Sequence, residues 1–505
     1  MTLAPEAAVP LRHPDRLFIG GKWVAATGGS SLTVIDSTTE LPYFHVAEAQ
    51  APDISAAVLA AREAFDNGPW PRMSHGERAE YLLAFAAALR LRAVDVGHIW
   101  PREAGALHSL AQPFTYRAAA EYEYYASLAE TYPFEERVDP TVGGALGLLV
   151  REPAGVVGAI IPWNGPVVSA AHKLAPALLC GCTVILKSAP EAPGEGLIAA
   201  EIAEEIGLPP GVLNVVTAER EVSELLVTDP RVDKISFTGS TLAGKRIGAL
   251  CGARIARCSL ELGGKSAAVI LDDADLEEAA AILSEAECAV NGQVCASLTR
   301  IVVSRERHDE FVDALAAVFS QVVVGDPYSV DSQMGPLAFE RQRDRVSGFI
   351  AKGIEEGARL VTGGHRPAHL DRGYYVEPTV FGNVDNASTI AQEEIFGPVL
   401  SVIPAANEAD AVRIANDTIY GLNACVFTKD PERARAVAGE LRSGTVSHNA
   451  VRVDFGIAFG GFKMSGIGRE GGKEALSLYT ETKTVILDSL PAKYQNYDRS
   501  AGPIN

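Results

Sequence analysis

Residues 156–161 read VVGAII, and Pro162-Trp163-Asn164-Gly165-Pro166 follows directly. An unbroken apolar run of this length suits a strand buried on both faces. A helical stretch over about 167–180 comes next and stops at Gly181, a residue type that closes helices. TVILK (183–187), a helix over about 194–206, VLNVVT (212–217), a short helix over about 221–227, KISFT (234–238) and a helix from about Leu242 continue the rhythm. Strands alternating with helices predict an α/β fold, a parallel sheet with helices on both faces. Outward from this block, a second alternating region runs from near Ser266 to about residue 460, with AAVIL (267–271), RIVVS (300–304), VLSVIP (399–404) and ACVFT (424–428). It predicts a second α/β domain. Upstream, LFIGGKWV (17–24) suggests strand, turn and strand. The pattern from Asp53, a candidate N-cap, to about Arg92 is helical, as is 113–130. Segments 140–151 and 480–488 look like isolated strands with no partner in either domain.

The 505 residues suggest two or three domains. Net charge is −20, which argues against non-specific binding of nucleic acid or anionic membrane. Seven cysteines without framework or metal-type spacing fit reduced thiols in a cytoplasmic protein, and no metal is expected. The first residues lack the pattern of a signal peptide, and no apolar run reaches membrane-spanning length.

Six short stretches carry chemistry. In Val290-Asn291-Gly292-Gln293-Val294-Cys295-Ala296-Ser297, a glycine lets backbone approach a ligand beside a thiol. Covalent catalysis needs the thiolate, and a loop or helix start can lower its pKa. Taken alone, a free cysteine is more often buried and inert. Glu261-Leu262-Gly263-Gly264-Lys265-Ser266 sets a carboxylate beside a sharp turn, where it could act as a general base for water. Asn164 follows the carboxyl end of a parallel strand and offers an amide N–H to a developing oxyanion. Phe237-Thr238-Gly239-Ser240-Thr241-Leu242-Ala243-Gly244-Lys245-Arg246 runs from a strand through a Gly-rich turn into a helix, a phosphate-binding geometry. Arg246 stands where a Walker A loop needs Ser or Thr, so a nucleotide phosphate site is expected without ATP hydrolysis. Lys187 ends its strand and could bind ribose hydroxyls or a phosphate, and Glu393-Glu394-Ile395-Phe396-Gly397-Pro398 contains a tight turn.

In order and spacing, PWN (162–164), FTGST (237–241), ELGGKS (261–266), GQVC (292–295), EEIFGPV (393–399), FGGFKMSGIGRE (459–470) and YTETKTV (479–485) resemble the aldehyde dehydrogenase superfamily over nearly the whole chain. The resemblance implies a Rossmann-like cofactor domain (1–132 and 152–263), a catalytic domain (264–463) and small β oligomerisation segments (133–151 and 479–500). It implies Cys295 as nucleophile through a thiohemiacetal and a thioester, Asn164 and the Cys295 N–H as oxyanion donors, and Glu261 as the base that activates water. For NAD, with NADP left open, it implies Lys187 at the adenosine ribose and Gly239 and Ser240 at the pyrophosphate. Glu394 and Phe396 fall at the nicotinamide ribose and ring, with Trp163, Ile160 and Gly263 bordering the same cleft. An aldehyde tunnel is implied at Phe114, Tyr116, Val167, His172, Val294, Ala296, Asn449 and Phe455, mostly apolar or aromatic. The expected substrate is an uncharged aliphatic, terpenoid or aromatic aldehyde. An inward Arg452 would instead favour a semialdehyde carboxylate, and CoA could replace water as acyl acceptor. Departures from the family pattern are Pro190 in place of a ribose-binding Glu, Val290 for Asn, Ser447 for Trp and Ala458 for Pro. A homodimer or homotetramer is expected from the unpaired bridging strands.

Overall fold

The structure, a computed structural model, describes residues 9–495. Among these residues the strands form sheets of eight, seven, three and two members. The α/β class expected from the sequence is what forms. In the eight-stranded sheet, Arg257–Glu261, Lys234–Thr238, Val156–Ile160, Thr183–Ser188 and Leu213–Thr217 are adjacent and parallel. Leu17–Ile19 with Lys22–Val24 closes one edge antiparallel, and Gly466–Ile467 closes the other. The chain leaves Val156–Ile160 in one direction and returns to its other side as Lys234–Thr238. This reversal opens a crevice at the carboxyl ends of those strands, the usual place for a ligand in such sheets.

The seven-stranded sheet runs Arg359–Thr362, Thr379–Gly382, Val399–Ala405, Arg300–Ser304, Ala267–Ile270, Asn423–Phe427 and Thr445–His448, parallel except at its first pair. Apolar clusters lie on both faces of each large sheet, which explains why these strands read as continuous apolar runs. Helix Pro166–Cys180 starts on a proline, whose missing N–H costs nothing there, and ends at Gly181 with φ 92°.

Four expectations are corrected. The helical stretch from Asp53 to Arg92 is two helices, Ala51–Asp66 and His75–Leu91, separated by a segment containing Pro69 and Pro71. Asp53 is not the N-cap: Gln50 is, and Asp53 reaches back from the third helical position to accept the Gln50 N–H at 2.8 Å. The helix expected over 113–130 already begins at His108. The bridging strands are not partnerless either. Thr480–Leu487 pairs antiparallel with Leu146–Pro153 along its whole length, and Glu135–Val138 joins on the other side. Residues 1–8 and 496–500 of the expected segments lie outside the described residues. Among those described, no helix is long and apolar enough to cross a membrane.

Candidate active site

Cys295 lies on a short loop whose backbone is bent and then pinned. Val290, Asn291 and Gly292 take φ of 49°, 61° and 71°. A Cβ on Gly292 would come within 2.3 Å of the Gly397 carbonyl carbon, so only glycine fits there. Two buried amides clamp the loop. Asn291 donates to the Gly105 and Pro336 carbonyls at 2.9 and 2.7 Å and accepts the Gly335 N–H at 2.7 Å. Gln293 donates to Ala104 O at 3.3 Å and Val290 O at 3.2 Å and accepts the Ala338 N–H at 2.9 Å. Two other segments, 104–105 and 335–338, are thereby tied to the stretch that carries the thiol.

Asn164 follows strand Val156–Ile160 and donates from Nδ2 to the Gln293 carbonyl at 2.8 Å, two residues before the thiol. An amide has two N–H groups, so a second donor remains. Its own carbonyl accepts from Trp100 Nε1 at 3.1 Å. The turn after Glu261 reaches the same place: a Cβ on Gly264 would meet the Cys295 carbonyl oxygen at 2.6 Å. Around the thiol, Ala296, Leu422 and Phe459 form an apolar cluster joined by Val294, Val453 and Phe455.

The electrostatics differ from the sequence expectation of a lowered thiol pKa. Burial pushes Cys295 up to about 12, and the Glu394 and Glu261 carboxylates add to the rise. The N–H groups of Cys295 and Ala296 act in the opposite direction. Cys295 is therefore a thiol at rest and needs a base to react. Glu261 ends its strand, is 3% exposed, and neither carboxylate oxygen has a hydrogen-bond partner. Burial raises its pKa well above the usual carboxylate range, and Glu470 raises it further; Lys173 and Arg469 oppose this. A carboxylate so placed is a stronger base than one in water.

Lys173, Glu470 and Arg469 were given no role from the sequence. The signal for Lys173 was a lysine inside the apolar helix VVSAAHKLAPALLC; it is fully buried and ion-paired with Glu470.

The crevice side collects the other candidates. Glu394 stands over the ELGG turn, accepting the Gly264 N–H at 3.0 Å, and a Cβ on Gly263 would strike its carboxylate at 2.2 Å. Burial lifts Glu394 to about 7. Phe396, at φ 62°, meets Trp163 edge-on with centroids 5.4 Å apart. Lys187 pairs in register between Ile160 and Val216 and is 7% exposed; burial lowers it to about 8. Glu191 pairs with Arg341 at 3.1 Å. Ser240 caps helix Thr241–Ala253 by accepting the Ala243 N–H at 3.3 Å. A Cβ on Gly239 would sit 2.5 Å from the Phe237 ring. These features suit a dinucleotide: a helix N-terminus behind a tight turn for phosphate, a strand-end lysine and a carboxylate for ribose hydroxyls, and aromatic rings for a nicotinamide.

Of the expected tunnel residues, Val294, Ala296 and Phe455 pack with Cys295. Val167 is buried, and Phe114 packs on Trp100 with centroids 5.0 Å apart. Asn449 is not brought to this cluster by its polar group: its amide is engaged both ways with the backbone of Thr428, at 2.7 and 3.0 Å. Tyr116 is 40% exposed, and Arg452 and Asp454 are exposed. Among the described residues no group of three or more His, Cys, Asp or Glu could hold a metal.

Comparison with known proteins gives the family. A model of the aldehyde dehydrogenase family matches residues 23–485. Geranial dehydrogenase of Castellaniella defragrans is 42% identical over 94% of this chain and 98% of its own length. A 3-succinoylsemialdehyde-pyridine dehydrogenase of a Pseudomonas species is 40% identical over 94% and 99%. The crystal structure of a Mycobacterium tuberculosis aldehyde dehydrogenase complexed with NAD+ superposes with a TM-score of 0.91 at 43% identity, over 94% of this chain and 98% of that one. The chain belongs to the aldehyde dehydrogenase family.

Proposed function

We propose that this protein oxidises an uncharged aliphatic, terpenoid or aromatic aldehyde to its acid, with NAD+ as acceptor and NADP+ as an alternative, through an acyl thioester on Cys295. Aldehyde oxidation itself follows from family membership. The observation that carries the finer reading is the convergence of three segments on one sulfur: Asn164 bonded two residues away, the Gly264 turn against the Cys295 carbonyl, and the Glu261 charge felt at the thiol.

Cys295 gives up its proton to water and attacks the carbonyl carbon, whose π electrons move onto the oxygen. The oxygen that gains charge is held by the Cys295 N–H and the free N–H of Asn164, a donor type worth about 3 kcal/mol or more in related chemistry. NAD+, when bound, would supply the acceptor for the hydride that leaves this carbon. Lys187, Ser240, Gly239 and Glu394 hold its phosphates and riboses in this proposal, bordered by Ile160, Trp163, Gly263 and Phe396. Glu261 then takes a proton from water as the oxygen bonds the acyl carbon and the C–S bond breaks, which frees the acid. A soft sulfur serves both halves, since it adds readily and its ester hydrolyses readily. The presence of Glu261 favours water over CoA as acyl acceptor.

The uncharged substrate class is supported by the apolar wall beside Cys295 and by the outward Arg452. Residues 1–132 and 152–263 are proposed to serve the cofactor and 264–463 to supply the thiol. The small sheet of Glu135–Val138, Leu146–Pro153 and Thr480–Leu487, within the proposed oligomerisation segments, keeps an open edge at Thr480–Leu487, which supports a homodimer or homotetramer. The test is NAD+ and NADP+ reduction with terpenoid, aliphatic and aromatic aldehydes. Wild type is expected to reduce cofactor and Cys295→Ala to lose at least a thousandfold in rate, on the order of a removed covalent catalyst. Full activity in the variant would overturn the reading.

A further inference from the structure

A row of buried acid and base groups leads away from Glu261. Lys173 Nζ pairs with Glu470 Oε1 and donates to Thr238 Oγ1 at 2.7 Å. Glu470 is held beside Glu261 by its backbone, which exchanges both hydrogen bonds with Phe459, while a Cβ on the next residue, Gly460, would touch Glu261 Oε1 at 2.6 Å. The second oxygen of Glu470 faces His172 Nδ1 at 4.0 Å. On the other side of the ring, His172 Nε2 faces Glu121 Oε1 at 3.8 Å. Phe455 stacks on the imidazole at 3.6 Å and 14° and so fixes the plane in which both nitrogens point. His172 Nε2 and Glu121 Oε2 are buried without a hydrogen-bond partner, a costly arrangement that calls for an explanation. From Glu121, one turn back along helix His108–Ser127 brings Arg117, which is exposed.

We propose that Glu470, His172 and Glu121 carry the proton collected by Glu261 out to solvent during thioester hydrolysis. The inference rests on Glu261 being the acceptor of that proton. Each hop moves one proton and changes no oxidation state. Glu261 passes its proton to Glu470; the imidazole takes it at Nδ1 while giving up another at Nε2; Glu121 receives that one and releases it to water. Each gap at the ring is about 1 Å longer than a hydrogen bond, within reach of a side-chain adjustment. Exchange at both nitrogens keeps the ring neutral. That matters because burial, with Arg117 and Lys173 nearby, pushes the His172 pKa well below its usual value. Glu121 suits the outer end. Burial lifts it to about 7; Arg117 lowers it, Glu470 and Asp454 raise it, and the hydroxyls of Tyr124 and Tyr125 also face its charge.

The test follows cofactor reduction and proton release together in a stopped-flow instrument with a pH-indicator dye. It uses wild type, Glu121→Gln, Glu121→Asp, His172→Phe and His172→Ala, each checked for an unchanged melting temperature. Expected are an acylation phase as fast as wild type in Glu121→Gln, a kcat lowered about fivefold to twentyfold in Glu121→Gln and His172→Phe, and a larger solvent deuterium isotope effect on kcat. Glu121→Asp recovers much of the rate, and added imidazole recovers part of it in His172→Ala. Wild-type kcat in the variants overturns the proposal. So does a lowered kcat without the isotope effect or imidazole rescue, or a raised KM alone, which would set the pair against the aldehyde. A wild type that reduces no cofactor removes the Glu261 reading and the relay with it, and is distinguished before any variant is made.

Discussion

The two sides of the reacting centre are built in opposite ways. The Cys295 loop is fastened by six hydrogen bonds between the amides of Asn291 and Gln293 and backbone groups, four donated and two accepted by the amides. The Glu261 carboxylate, buried beside it, makes none. A nucleophile must meet its target at one distance and angle, so fixing it in advance removes orientation entropy from the reaction. A base kept unbonded and dry holds its proton affinity for water, and its lack of partners is a cost accepted by the fold.

That contrast can be broken at each end. Gly292→Ala places a Cβ against the Gly397 carbonyl at a left-handed φ. It is expected to lose about 4 kcal/mol of stability. Asn291→Ala removes three buried hydrogen bonds and is expected to lose about 3 kcal/mol, with kcat down about tenfold as the thiol wanders. Thermal melting and steady-state rates on the same samples check both. Glu261→Gln should behave differently, with stability within about 1 kcal/mol of wild type, since no bond is removed and a buried charge is relieved. A large loss of stability in that variant would erase the contrast. The smallest effect is pH dependence. Cys295 and Glu261 both have raised pKa values, so their reactive ionised forms grow as pH rises. The kcat/KM profile is expected to climb from about pH 6 to about pH 9 without a plateau; a fall over that range would contradict the assigned shifts.

Much of the frame was legible because it is written locally. VVGAII, TVILK and KISFT are buried on both faces, so composition alone marks them as strands. What the sequence hid was contact between distant segments. Thr480–Leu487 and Leu146–Pro153 lie far apart in the chain, and nothing in either names the other as its partner. The split at Pro69 and Pro71 is masked in the sequence because the apolar periodicity resumes in the next helix. At the site, glycines and the thiol announced themselves through motifs. Lys173 and Glu121 did not, since a charged residue on a helix reads as solvent-facing until the fold buries it, and His172 was legible only as a wall of the aldehyde tunnel. The raised thiol pKa is hidden for the same reason: the sequence shows Cys295 on a loop but neither its burial nor the Glu394 and Glu261 carboxylates around it.

The most direct test of the central claim is intact-protein mass spectrometry of Glu261→Gln after mixing with NAD+ and an aldehyde that wild type oxidises. The division of labour between a fixed thiol and a free base predicts an acyl adduct mapping to Cys295, one equivalent of reduced cofactor per site, and slow turnover afterwards. Normal turnover with no adduct, or an adduct on another residue, would contradict it.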